Sequence, residues 1–173
     1  MPKIKIADRL PAHPTEEDLA HFQQLGIDAA SIWTTIEDAH YDYLAGTRQR
    51  LADHGIELFN VGISDLHCDP TMVLGLDGCE QKLEQYARYL RDLGRAGIGY
   101  TTYAHMANIK MAPYYQTAVG QARGVPTREF DMDKAQHLPL SHKREYGEDE
   151  IWETLNRLLC VSIPAAEEAG VRI

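Results

Sequence analysis

Four times in this chain a helix-like run ends in a glycine that is followed by an aliphatic residue and a strand-like stretch. The four junctions are Gly26-Ile27, Gly55-Ile56, Gly97-Ile98 and Gly170-Val171. A glycine tolerates the left-handed backbone conformation that ends a helix, and the apolar residue after it can start a strand packed beneath that helix. The repeat therefore predicts strands and helices that alternate around a parallel sheet.

The apolar spacing between these junctions predicts the individual elements. We expect strands over residues 3–7, 27–33, 57–64 and 97–105, and helices over 16–25, 41–54, 78–93 and 148–169. Thr15 precedes three acidic residues and is typical of a helix N-cap, whereas Pro164 is expected to kink or restart the last helix. Residues 106–147 form a long polar excursion, which we interpret as an inserted active-site loop or an oligomer arm.

Two architectures can contain such a repeat: an open doubly wound sheet and a closed eight-unit barrel. A nucleotide-binding open sheet usually carries a glycine-rich loop after its first strand, but residues 8–14 contain no glycine. The barrel is favoured, and because a barrel takes about 250 residues, the 173 residues are predicted to form one partial domain. We expect the first half of a (β/α)8 TIM barrel, cut off within its fifth strand.

Composition excludes several kinds of partner. The net charge of −9 argues against binding to nucleic acid or to an anionic membrane. No apolar run reaches the roughly 20 residues that a membrane span needs. The three cysteines show no CxxC spacing and are typical of reduced thiols. These features predict a cytoplasmic protein, and we expect a homo-oligomer.

Chemistry in such a barrel is expected at the carboxyl ends of the strands. The side chains at these positions are polar, aromatic or histidine-bearing, as in a sugar or sugar-acid pocket: Asp8, Arg9, Trp33, Thr34, Ser64, Asp65, His67, His105 and Asn108. Within the excursion, Arg123 and Arg128 could clamp a carboxylate or simply be solvated. We predict substrate binding by Trp33, His67, His105, Asn108 and Arg128.

Each of these assignments has a structural alternative. His67 lies in Asp65-Leu66-His67-Cys68-Asp69, but adjacent residues seldom ligate one ion and no HxH or HxxxH spacing supports a metal site. A polar loop or a substrate-contacting histidine is favoured there. His105 could face the pocket or form structural hydrogen bonds, and Trp33 could be a substrate wall or core packing. The remaining histidines are interpreted as structural.

Longer stretches resemble the mannonate dehydratase family. Residues 72–86 match its leucine-glycine segment and glutamine-bearing helix, and 90–98 match its Arg-x-(Leu/Met)-Gly-x-Ala-Gly-Ile helix end. Residues 103–108, 127–131 and 165–172 agree with it in the same order. The sequence departs from the family at two places. Gly78-Cys79-Glu80-Gln81 stands where the family has Gly-Arg-Asp-Glu-Gln. His105 and Ala107 stand where the family has an aromatic residue and a proline.

The resemblance implies a barrel of the xylose isomerase-like kind and a lyase of hexuronate catabolism. Such a lyase removes water from D-mannonate to give 2-keto-3-deoxygluconate, with Mn²⁺ or Fe²⁺ polarising the sugar-acid oxygens. The family's metal ligands follow the strand that begins here at Val171, so the resemblance implies no ligand within these residues. We therefore expect the 173-residue chain alone to be inactive as a lyase.

Two other functions stay open on the sequence. One is a sugar isomerase or epimerase of the same barrel superfamily, which moves a proton between neighbouring carbons. The other is a non-catalytic half-barrel module that dimerises through an exposed sheet edge.

Overall fold

The fold is built from parallel strands and the helices that connect them. The computed structural model describes residues 4–107, 116–122 and 125–173, with side chains described outside 116–129. The strands are β1 (Ala7–Leu10), β2 (Ala29–Thr34), β3 (Glu57–Ile63), β4 (Gln116–Ala122) and β5 (Val125–Glu129). The helices are α1 (Glu16–Leu25), α2 (Tyr41–Asp53), α3 (Pro70–Val73), α4 (Cys79–Arg95), α5 (Met132–Ala135) and α6 (Glu148–Ala169).

The order of the sheet follows the order of the chain. β1 pairs with β2 and β2 pairs with β3, all in parallel. On the far side of β3, the Val61 N–H donates to the carbonyl of Tyr100, and Tyr100 forms a parallel bridge with Arg172. An open doubly wound sheet would instead place its first strand beside the fourth. The predicted partial barrel is therefore confirmed, and the doubly wound alternative is wrong.

The four glycine junctions have one and the same geometry. Gly26, Gly55, Gly97 and Gly170 all have positive φ, between 68° and 74°. The N–H of the next residue donates to the carbonyl five residues back at 2.9–3.0 Å in every copy: Ile27 to Phe22, Ile56 to Leu51, Ile98 to Leu93 and Val171 to Ala166. This is the Schellman turn, which satisfies the last carbonyls of each helix and sends the chain back beneath it.

The helix starts also follow the sequence. The Thr15 hydroxyl accepts from the Asp18 N–H at 3.2 Å, and the Asp18 carboxylate accepts from the Thr15 N–H at 2.7 Å, which completes a capping box. The predicted restart at Pro164 is not found, because α6 runs continuously through that residue, and a kink there stays a prediction. No described helix is long and apolar enough to cross a membrane.

One face of the sheet packs on the helices, and the other faces the barrel interior. Leu10, Ala30 and Ile32 are buried in the same apolar core as Leu19 of α1 and Leu44 of α2. Because side chains alternate along a strand, Arg9, Ser31 and Trp33 belong to the opposite face. The interior face of the sheet is therefore polar and aromatic.

The first and fourth strands differ from their predicted bounds. β1 begins at Ala7 rather than at residue 3, because its first sheet partner is Ala29; Asp8 and Arg9 therefore lie within the strand and not after it. In the predicted strand 97–105, only Tyr100 forms a ladder bridge. The Val61 carbonyl, a potential ladder acceptor, accepts instead from the hydroxyls of Tyr89 at 2.6 Å and Thr101 at 2.7 Å.

The polar excursion holds structure that its composition did not predict. β4 and β5 form an antiparallel hairpin in which Thr117 lies opposite Arg128, and the short helix α5 follows. Hairpins need only local pairing, so polar strands with few apolar residues can form one. Its interpretation as an active-site loop or oligomer arm stays a prediction.

The close approach of α4 and α6 depends on Gly94. A Cβ at this position would lie 2.3 Å from the Ala169 carbonyl oxygen, whereas a Cβ at Gly46 of α2 would meet nothing within 4 Å. We expect Gly94→Ala to lower the free energy of unfolding by about 1–3 kcal/mol through overpacking. The matched control Gly46→Ala should raise it by about 0.5–1 kcal/mol. Urea denaturation measures both, and equal effects would contradict this account of the contact.

Candidate functional site

The carboxyl ends of the strands bring four rings into one continuous row. The Trp33 ring meets His67 edge to face at 4.7 Å, and His67 meets Tyr103 at 6.5 Å, also edge to face. Tyr103 in turn lies 6.0 Å from His105. All four residues are partly buried. We call Trp33, His67, Tyr103 and His105 the aromatic row.

Trp33 is held in place by a glycine on the neighbouring strand. It pairs in register with Gly62 of β3, and a Cβ at Gly62 would lie 2.7 Å from the Trp33 Cε3 atom. The indole can therefore cover β3 only because residue 62 has no side chain. On its other side, the Arg9 guanidinium lies 5.7 Å from the ring centroid, within the range of a cation–π contact.

His67 is positioned by the turn that follows β3. Its N–H donates to the Ile63 carbonyl at 2.9 Å, and the next residue, Cys68, is buried with a φ of +59°. This left-handed conformation is uncommon for a side chain other than glycine. The Nδ1 atom of His67 is buried and has no hydrogen-bond partner among the described residues. Burial lowers the pKa of His67, so the neutral ring is favoured.

Both nitrogens of His105 lie within hydrogen-bond distance of a hydroxyl. Nδ1 is 3.0 Å from the Tyr103 hydroxyl, and Nε2 is 3.1 Å from the Thr154 hydroxyl of α6. Burial lowers the pKa of His105 and raises the pKa of Tyr103, so both groups are neutral near pH 7. The sequence left open whether His105 faces the pocket or is structural; the ring forms structural hydrogen bonds and also contacts a cavity.

That cavity, of about 600 Å³, lies between α6 and the segment that precedes it. Its walls include Leu74, Leu138, Pro139 and Ile151 on the apolar side, and His105, Arg144 and Tyr146 on the polar side. Arg144 is already paired with Glu150 at 2.6 Å and lies over the Tyr146 ring at 3.8 Å. The side chain in this cavity that also belongs to the aromatic row is His105.

The carboxylates around His67 are used to hold the loop. Asp65 accepts from the Ile36 N–H at 2.9 Å and from the Ser64 hydroxyl at 3.0 Å. Asp69 accepts from the Thr71 N–H at the start of α3 and pairs with Lys82. No three His, Cys, Asp or Glu side chains of the described residues are grouped to hold a metal ion. The described part of the row therefore does not fit the Mn²⁺ or Fe²⁺ that the resemblance implies.

The predicted site residues have different outcomes in the structure. Trp33, His67 and His105 lie together in the aromatic row. Asn108 lies outside the described residues, and Arg128 is described only as a backbone position of β5. Arg123 also lies outside them. Whether these residues bind substrate stays a prediction.

Tyr103 is the site residue that the sequence reasoning missed. It stands two residues before His105, and residues two apart on an extended segment share a face. That spacing was the available signal. Two histidines interpreted as structural do have such roles. The His40 ring accepts from the Tyr43 N–H at the start of α2, and the Nε2 atom of His54 lies 3.3 Å from the Oε2 atom of Glu16.

Solved structures of other proteins share this arrangement of strands and helices. The chain superposes on mannonate dehydratase from Streptococcus suis serotype 2 with a TM-score of 0.77 at 15% sequence identity, covering 99% of this chain and 52% of that one. The fold is that of about half of a (β/α)8 TIM barrel. The predicted resemblance to mannonate dehydratase is thus confirmed at the level of fold.

Two further barrels support this assignment. D-psicose 3-epimerase from Clostridium cellulolyticum H10 superposes with a TM-score of 0.60 at 13% identity, covering 97% of this chain and 50% of that one. A xylose isomerase domain protein from Planctomyces limnophilus gives 0.51 at 9%, with 96% and 51% coverage. No protein-family model and no curated protein matches the sequence. The chain spans about half the length of the barrels that it matches.

The contact between Gly62 and Trp33 can be tested directly. We expect Gly62→Ala to push the indole off β3 and to cost about 1–3 kcal/mol of stability by overpacking. The near-ultraviolet circular dichroism of Trp33, recorded in a Trp152→Phe background, should weaken. Gly99→Ala is the matched control, because a Cβ there meets nothing within 4 Å. An unchanged Trp33 spectrum in Gly62→Ala would contradict the proposed packing.

The partly buried histidines predict a dependence of stability on pH. Burial lowers the pKa of His67 and His105 below 6.5 in the folded state, so folding opposes their protonation. The free energy of unfolding should therefore be constant above that value and fall as the pH drops through it towards the lowered pKa values. Urea denaturation from pH 8 to 5.5 and NMR titration of both rings measure this. Titration of either ring at or above 6.5 would contradict it.

Proposed function

We propose that this chain supplies the substrate wall of a lyase similar to mannonate dehydratase, acting on a sugar acid. The observation that carries the proposal is the aromatic row at the carboxyl ends of the parallel strands, where barrel enzymes bind their substrates. Aromatic faces suit the apolar C–H faces of a sugar, and the neighbouring hydroxyl and imidazole groups suit its hydroxyls.

Arg9 favours an acidic sugar over a neutral one. Its guanidinium lies beside Trp33 on the interior face of the sheet and forms no ion pair with the described residues. An arginine in this position can bind a carboxylate with two parallel hydrogen bonds. The superposition on mannonate dehydratase, the resemblance of residues 72–98 to that family and the Arg9 cation all support a sugar acid.

A sugar epimerase is the second candidate. It is supported by the superposition on D-psicose 3-epimerase, which was crystallised with D-tagatose, a neutral sugar. The two candidates therefore differ in the charge of the substrate. The dimerising half-barrel, the cytoplasmic location, the homo-oligomer and the absence of nucleic-acid and membrane partners stay predictions.

The metal and the reaction also stay predictions. The resemblance assigns the Mn²⁺ or Fe²⁺ ligands to positions just after the strand that begins at Val171 and to later strands, and the described residues do not form such a site. We accordingly propose a role in binding for this chain and expect no turnover of D-mannonate by the 173 residues alone. Metal-dependent dehydration by the purified chain would contradict that expectation.

Substrate charge can be tested by titration. The ring signals of His67 and His105 should shift on addition of D-mannonate and shift less with D-mannose or D-psicose. Arg9→Gln should weaken D-mannonate binding by about tenfold or more, the effect of losing a hydrogen bond to a charged group. Arg91→Gln is the matched control, since Arg91 pairs with Glu168 on the outer face of α4 and α6.

Each outcome of this titration discriminates between the candidates. Equal shifts with D-psicose and with D-mannonate would favour the epimerase and contradict the sugar-acid assignment. Equal loss of affinity in Arg9→Gln and Arg91→Gln would contradict a role of Arg9 in binding the carboxylate of the substrate. No shift with any of the three sugars would contradict a sugar site at the aromatic row.

A further inference from the structure

We propose that Thr154 of α6 is a positioning residue for the aromatic row. By accepting a hydrogen bond from Nε2 of His105, it fixes the tautomer of that ring and thereby makes the Tyr103 hydroxyl an acceptor towards ligands. The inference rests on the proposed function only for the identity of the ligand. The tautomer itself follows from the hydrogen bonds of the described residues.

The direction of the first hydrogen bond follows from the surroundings of Thr154. Its Oγ1 lies 2.7 Å from the Val73 carbonyl and 3.0 Å from the Ile151 carbonyl. Carbonyl oxygens can only accept, and the hydroxyl has a single proton to donate. That proton points to these carbonyls, so a lone pair of Oγ1 faces Nε2 of His105 at 3.1 Å. Nε2 must therefore carry the hydrogen.

The packing around Thr154 prevents the hydroxyl from turning round at low cost. The residue is buried, and the methyl group lies against Gly75, where a Cβ would come within 3.1 Å of Cγ2. Turning the proton towards His105 would leave the Val73 carbonyl without this donor. The Ile151 backbone also hydrogen-bonds with His105. A buried polar group left unpaired is costly.

The second hydrogen bond then has only one possible direction. A neutral imidazole carries one ring proton, and burial keeps His105 neutral near pH 7. With that proton on Nε2, Nδ1 is an acceptor and the Tyr103 hydroxyl donates to it at 3.0 Å. The phenol has then used its only proton. A ligand hydroxyl that contacts Tyr103 must donate to it. Thr154 therefore decides the hydrogen-bond direction at Tyr103, although Thr154 is not part of the aromatic row.

The test compares Thr154→Val, which has the same shape without the hydroxyl, with Thr154→Ser, which keeps the hydroxyl. Long-range ¹H–¹⁵N spectra of the chain labelled at histidine distinguish a protonated ring nitrogen from an unprotonated one. We expect His105 protonated at Nε2 in the wild type and in Thr154→Ser. In Thr154→Val the ratio of the two tautomers should shift towards Nδ1 by about threefold to tenfold, the effect of one net hydrogen bond.

His67 provides the internal control for folding, because it contacts Trp33 and Tyr103 rather than Thr154. Its ring signals should be the same in all three proteins. A wild-type His105 protonated at Nδ1 would overturn the inference. An unchanged His105 tautomer in a folded Thr154→Val would also overturn it, since the Ile151 carbonyl would then be the group that fixes the ring.

Titration with D-mannonate separates this inference from the proposed function. We expect weaker binding to Thr154→Val than to the wild type, and restored binding in Thr154→Ser. Equal binding to all three proteins, with a changed tautomer in Thr154→Val, would overturn the role of Tyr103 as the acceptor for the ligand. Absence of binding to all three would count against the proposed function, whereas the tautomer readout would still decide the role of Thr154.

Discussion

The whole architecture depends on one backbone turn, used four times. At each turn a glycine in the left-handed conformation lets the N–H after it reach the carbonyl five residues back, which ends the helix and reverses the chain. The aliphatic residue that follows is thereby placed under the helix that has just ended. Repetition of this step in one direction yields parallel strands in chain order, which is the arrangement of a barrel and not of a doubly wound sheet.

The same arrangement explains why the chemistry gathers at one edge. Parallel strands in chain order deliver their carboxyl ends side by side, so Trp33, His67 and Tyr103 become neighbours although they lie in three different repeats. Local backbone features then position the individual rings. Gly62 admits the indole across β3, and the left-handed turn at Cys68 positions the imidazole that follows Trp33 in the row.

Much of the site could be predicted because strand ends can be recognised along the chain. Trp33, His67 and His105 were found in this way, and Tyr103 was within reach through its spacing of two from His105. The partial break of the fourth strand was not, because it depends on the Tyr89 and Thr101 hydroxyls competing for the Val61 carbonyl. Such competition between side chain and backbone leaves no periodic signal.

The sequence by itself determined the repeat, the helix ends and the class of residue at each strand end, because these depend on local backbone preferences and on apolar spacing. Only the tertiary structure decided which groups of the site donate and which accept hydrogen bonds. Thr154 meets His105 across 49 residues and Val73 across 81, so the hydrogen-bond chain that orients Tyr103 exists only once α6 packs against α3 and α4. Contacts between distant segments depend on three-dimensional packing, which no local pattern records.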